Sequence, residues 1–145
     1  MKRIAIIVNA FGGSTTSLAE AFLNQGYKVD FYHLIPRKKS ASFETFDLSL
    51  RGGLFSIVPV RSFDYDGLRR FIPFARNKYF SMYQISVVEL SSMGIRCFIN
   101  PILVLYYVKL ARRIIKQKYD FVNVIGQNKS TAFLSVILRS KGVNV

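Results

Sequence analysis

Tryptophan is missing from this chain, and cysteine and histidine occur once each, as Cys97 and His33. One thiol excludes a disulfide framework, and a single imidazole beside it argues against a His/Cys metal cage. A Ser–His–Asp triad would have to be built on His33. Acidic residues are also few: 8 Asp+Glu stand against 21 Lys+Arg, for a formal charge of +13. Long apolar runs are missing too. Met1-Lys2-Arg3 is followed by only Ile4 to Val8 before Asn9, with no small-residue cleavage site, so no signal peptide is expected. Phe98 to Val108 is interrupted by Asn100 and Pro101 and closed by Lys109. A bilayer span takes about 20 apolar residues, so no span is expected, and the expected setting is the reducing cytoplasm.

What is present is an ordinary core. Half of the 145 residues are hydrophobic and 14% are aromatic, with 13 Phe and 8 Tyr, which excludes intrinsic disorder. The length suits one domain or part of one. The positive charge is unevenly placed: residues 1–68 carry a net +2 and residues 69–145 a net +11, with only Glu89 and Asp120 opposing it there. Such asymmetry points to an anionic partner, and a solvated basic face is the plain alternative.

Lys2 to Val8 is continuous, β-branched and too short for a helix, so it is expected to be a strand buried on both faces. Asn9 to Thr16 reads as a loop. Ser17 to Gln25 reads as a helix with Leu18, Ala21, Phe22 and Leu23 inward and Gly26 at its C-terminal cap. Lys28 to Ile35 is a second strand, ended by Pro36. A third, Leu54 to Val60, carries a Pro59 that places it at an edge or ends it early. Arg37 to Gly53 is polar and without period. Asp66 to Arg76 suits a short helix despite Pro73, and Tyr79 to Ser92 is ambiguous. Pro101 to Lys118 is the strongest helix; Tyr119 to Gly126 is a strand, Ser130 to Ser140 a helix closed by Gly142, and Val143-Asn144-Val145 a strand barely begun. The expected fold is α/β, a Rossmann-like doubly wound, mainly parallel sheet flanked by helices. The last unit is cut off mid-strand, so the chain reads as one N-terminal Rossmann-like domain (1–145), the front of a longer protein.

Four features carry chemistry. Gly12-Gly13-Ser14, between a strand and a helix, lets backbone approach a ligand at a helix N-terminus. The loop matches neither G-x-G-x-x-G nor a P-loop, and His33, Leu34 and Ile35 stand where a ribose-binding acid would, which disfavours a dinucleotide dehydrogenase. Gly126-Gln127-Asn128 follows a later strand and falls at the same sheet edge; both loops are otherwise plain βα turns. Lys109, Arg112, Arg113 and Lys116 share one stripe of the long helix, opposite Leu103, Tyr107, Leu110, Ala111, Ile114 and Ile115. With Arg69, Arg70, Arg76 and Lys78 among the aromatics of residues 61–83, the stripe suits an anionic lipid surface or stacked bases. No RNP-type motif or recognition helix favours nucleic acid.

The order Lys2–Asn9, Gly12-Gly13, Leu18–Gly26, Lys28–Ile35 and, much later, Tyr119-Asp120-Phe121-Val122-Asn123-Val124-Ile125-Gly126 resembles the N-terminal, acceptor-side domain of retaining GT-B glycosyltransferases of the family-4 type. The resemblance implies one half of a GT-B fold. It also implies metal-independent and cofactor-free transfer of a sugar from a nucleotide-sugar to an acceptor, lipid-linked or a cell-surface polysaccharide precursor. The donor nucleotide and the family's paired glutamates belong to a C-terminal domain beyond these residues, so residues 1–145 alone are expected to be inactive. Gly12, Gly13 and Ser14 would face the cleft. Many members carry histidine at the end of the strand matching Tyr119–Ile125; this chain has Asn123 and Ile125, and Gln127 and Asn128 are the nearest polar residues. The catalytic residues are therefore unassigned. The implied location is cytoplasmic, peripheral at the membrane face. The competing class is a non-catalytic basic Rossmann-like module that docks on anionic membrane or nucleic acid.

Overall fold

The structure is a computed structural model and describes residues 1–10, 12–37, 53–61, 72–88, 90 and 94–145. Five strands, β1 (Arg3–Val8), β2 (Lys28–Arg37), β3 (Ile57–Pro59), β4 (Phe80–Val88) and β5 (Phe121–Ile125), form one sheet in the order β3-β4-β2-β1-β5. All neighbours pair in parallel except β3, which runs antiparallel to β4 at the edge. The helices are α1 (Gly13–Asn24), α2 (Pro101–Ile115) and α3 (Lys129–Ser140), with a 3-10 turn at Ile95–Ile99. The architecture is α/β, compatible with a Rossmann-like fold.

Alternation along the strands divides the core in two. Ile4, Ile6, Val8, Val29, Phe31 and Met82 pack on one face with Ala19 and Leu23 of α1. Ala5, Ile7, Tyr32, Leu34, Ile85 and Val122 pack on the other, with Tyr107, Leu110 and Ile114 of α2 and Leu134 and Leu138 of α3. Burying each of the larger aliphatic side chains contributes about 1.5–3 kcal/mol, so a sheet covered on both faces follows from strands that are apolar on both. α2 joins the carboxyl end of β4 to the amino end of β5 and so runs antiparallel to the strands.

Several local expectations are corrected. Helix α1 starts at Gly13 rather than Ser17, because the Gly12 N–H donates to Thr15 Oγ1 (3.1 Å) and the Thr15 hydroxyl donates back to the Gly12 carbonyl (2.9 Å). Its buried stripe is accordingly Thr15, Ala19 and Leu23, and Ala21 is exposed. Pro36 lies inside β2: β1 ends opposite His33, so beyond it β2 has lost one neighbour and tolerates a proline as an edge does. The ambiguous Tyr79–Ser92 stretch holds β4, whose Phe80, Met82 and Ile85 are buried. β3 is shorter than Leu54 to Val60 and ends at Pro59, at the sheet edge. Of the expected Asp66–Arg76 helix, 66–71 lie outside the described residues, and Ile72 to Arg76 forms turns, with Ala75 N–H on the Ile72 carbonyl. Residues 38–52 of the expected loop also lie outside. Val143 to Val145 is not a strand, although the Val122 N–H donates to the Asn144 carbonyl at 3.0 Å.

Candidate functional site

The chain winds from β1 to β2 to β4 in one direction and then places β5 on the far side of β1. The strand order therefore reverses between β1 and β5, and ligands of open α/β sheets bind outside the carboxyl ends of the strands at that reversal. Val8 and Ile125 are register partners, so the loops that follow them leave side by side. They also touch: a Cβ built on Gly126 would collide with Asn9 Oδ1 and come within 2.8 Å of Thr131 Cγ2. Gly126 is thus a close-approach glycine that seals the two loops together. The sequence places Asn9 at the head of the first loop without assigning it a role, its only signal being a polar residue directly after β1.

Gly12, Gly13 and Ser14 are exposed at the start of α1. Gly12 is extended (φ −156°, ψ 162°), and a Cβ at either glycine meets nothing within 4 Å. Neither backbone conformation nor packing within the described residues requires glycine there. Gly12 has no side chain with which to cap the helix; its own N–H is taken by Thr15 Oγ1 and the Thr15 and Thr16 N–H groups by the Gly12 carbonyl, so the Gly13 and Ser14 N–H groups are the ones left at the positive end of the dipole. Across the reversal Gln127 is exposed, whereas Asn128 caps α3, its Oδ1 accepting from the Thr131 N–H at 2.9 Å. Asn128 is committed to the helix and Gln127 is the available amide. Asn123 and Ile125 are half-buried on β5.

His33 stands on β2 beside Val8, and its burial lowers its pKa to about 4. The imidazole is neutral at neutral pH. The buried polar groups at the opposite end of the sheet form a network instead: Arg3 Nη2 donates to Asp30 Oδ2 at 2.7 Å, Tyr119 OH donates to the same oxygen at 2.7 Å, and the Tyr32 and Tyr119 hydroxyls lie 2.6 Å apart. Asp30 is 1% exposed. Burial pushes the Tyr32 phenol up to about 12 and raises that of Tyr119 as well, so both act as neutral donors. The Arg3 guanidinium also donates to the Gln117 carbonyl after α2 and lies over the Tyr119 ring, which ties β1, β2 and the α2–β5 connection together.

Lys109, Arg112, Arg113 and Lys116 are all exposed on α2, while Leu103, Tyr107, Leu110, Ala111 and Ile114 are buried beneath them and Ile115 is half-buried. Arg113 and Lys116 also line a pocket of about 360 Å³ with Ile57, Gln117 and the stacked Tyr32–Tyr83 rings (centroids 5.0 Å apart). Arg69 and Arg70 lie outside the described residues. Arg76 and Lys78 are exposed, but the described aromatics beside them turn inward: Phe80 is buried against Phe74 at 5.1 Å, and Tyr83 stacks on Tyr32. These rings are not free platforms for bases. Among the described residues no three of His, Cys, Asp and Glu gather as a metal site, and no helix is long and apolar enough to cross a membrane. Compared with models of protein families, with curated proteins and with solved structures, the chain matches none.

Proposed function

We propose that residues 1–145 form the acceptor-side domain of a GT-B glycosyltransferase, which moves a sugar from a nucleotide-sugar donor to an acceptor. The observation that carries the proposal is the adjacency of two loops at the β1/β5 reversal: Asn9, directly after β1, lies against Gly126, and Gly12 and Gly13, further along the first loop, have no structural need within the described residues to be glycine. Small residues at a helix N-terminus let a phosphate or sugar lie close to backbone N–H groups, which recognise it without metal. Gln127 would hydrogen-bond a sugar hydroxyl from the other side. Donor nucleotide and catalytic carboxylates would come from a donor-side domain across the cleft. Buried, and with its basicity lowered to a pKa of about 4, His33 is no ready general base, which agrees with a domain that positions substrate and leaves the bond-making groups to a second domain. The acceptor class is a lipid-linked sugar or polysaccharide precursor, met at the cytoplasmic face of a membrane.

The test is transfer of a radiolabelled sugar from nucleotide-sugars to lipid extracts, by the full gene product and by residues 1–145 alone. Turnover is expected only from the full product. Turnover by residues 1–145, or none by the full product with any nucleotide-sugar, contradicts the proposal. A binding module that takes no part in chemistry would show the second pattern.

A further inference from the structure

Large apolar side chains stand in water at one end of the molecule. Ile95 is 81% exposed, Ile99 77%, Ile102 63% and Leu105 52%, with Tyr106 beside them. They belong to the 3-10 turn and the first two turns of α2, a region held in place from behind. Cys97 is buried, Phe98 meets Phe133 edge-on at 5.3 Å, and Tyr106 stacks on Phe55 at 5.1 Å. The Asn100 side chain caps α2 by accepting from the Ile102 and Leu103 N–H groups. The isoleucines are therefore displayed by an anchored element.

At 100° per residue, Ile102, Leu105, Tyr106, Lys109, Arg112, Arg113 and Lys116 all fall within one outer arc of α2. That arc is apolar over its amino-terminal half and cationic over its carboxyl-terminal half. From Gly94 to Tyr119 the chain has six Lys/Arg and no Asp or Glu. Because α2 runs antiparallel to the strands, its apolar half lies at the carboxyl edge of the sheet, the edge that carries the β1/β5 loops.

We infer that the outer face of α2 with the preceding 3-10 turn docks on an anionic lipid bilayer, the isoleucines and Leu105 entering the headgroup boundary while Lys109, Arg112, Arg113 and Lys116 contact lipid phosphates. Charge complementarity selects this occupant. A face that joins bulky aliphatic side chains to a cation stripe matches acyl chain beside phosphate, the two chemistries a bilayer surface presents together. Nucleic acid offers the phosphates but nothing for the four aliphatic residues. A second copy, also carrying +13, is repelled. Docking in this pose turns the carboxyl edge toward the bilayer, where a lipid-linked acceptor would lie; the docking itself does not depend on the transferase reading, because it is read without turnover.

The experiment is co-sedimentation of the full gene product with vesicles of phosphatidylcholine and of a phosphatidylcholine–phosphatidylglycerol mixture, at low and high salt. Two variants accompany the wild type: Ile95→Ser/Ile99→Ser/Ile102→Ser, and Lys109→Gln/Arg112→Gln/Arg113→Gln/Lys116→Gln. All seven side chains are exposed, and the Arg113 hydrogen bond to the Phe55 carbonyl is long at 3.5 Å, so the thermal midpoints should stay close to that of the wild type. Anionic vesicles should bind at least about tenfold tighter than neutral ones, and each variant should lose roughly tenfold. Binding left in the serine variant should vanish at high salt, whereas the wild type keeps part of it. Equal binding to both vesicles, no binding to either, or serine substitutions without effect would overturn the inference. So would a dimer that the serine variant dissociates, since the apolar patch would then belong to a second copy.

Discussion

His33 is 8% exposed and has its pKa held near 4 by burial, against 6.5 for an ordinary histidine. The unfolded chain binds a proton as pH falls through 6.5; the folded chain does not until about 4. The contribution is therefore fully present above pH 6.5, is lost between pH 6.5 and 4, and stays flat below. Its size is on the order of 3 kcal/mol. Urea unfolding at pH 7.5 and 4.5 checks this. The wild type should lose stability relative to His33→Gln over that range, and parallel losses would show that the imidazole is not the cause. Tyr119 is a second single-residue lever. Its hydroxyl joins Tyr32 to the Asp30 carboxylate, and Tyr119→Phe leaves that buried oxygen with Arg3 alone. The expected loss is about 1–3 kcal/mol in chemical denaturation. No loss would mean that water replaces the phenol.

Among the elements, the two loops at the β1/β5 reversal respond oppositely to a methyl group. Gly126→Ala drives a Cβ into Asn9 and Thr131, for an expected loss of about 1–3 kcal/mol. Gly13→Ala meets open space in a helical first turn and should gain about 0.4–1 kcal/mol. Differential scanning calorimetry of the two variants reads both signs; a stabilising Gly126→Ala would refute the sealed loop. Much of this level was legible in sequence. Continuous β-branched runs marked β1 and β2, and Gly26 and Gly142, at φ +80° and +76°, stand just past their helices as the capping rule requires. The β4 strand was not legible, because Tyr79 to Ser92 mixes buried Gln84 and Ser86 with apolar residues and its strand character comes from pairing with β2. Nor was the start of α1, which a threonine inside the expected loop determines. The outer arc of α2 was read only for its charges. Its exposed isoleucines look like core in sequence, and only the placement of Phe98, Leu103 and Tyr107 against the sheet shows that they are left outside.

For the whole molecule, a mainly parallel sheet whose order reverses beside β1 gathers at one edge the two glycine-bearing loops that lead into α1 and α3, while the same edge carries the apolar end of α2. Vesicle binding needs no donor and sugar transfer can be read in detergent, so membrane docking and transfer are tested separately. The measurement that bears most directly on the transferase proposal is the rate of sugar transfer by the full gene product carrying Gly12→Val, relative to wild type, with the thermal midpoint taken on the same samples. Extended backbone at Gly12 accepts valine and a Cβ there meets nothing within 4 Å, so the midpoint should not move. Bulk beside the α1 N-terminus should lower kcat/KM by about 100-fold or more, as misplacement of a bound group does. Wild-type turnover by a normally folded Gly12→Val protein would contradict the account.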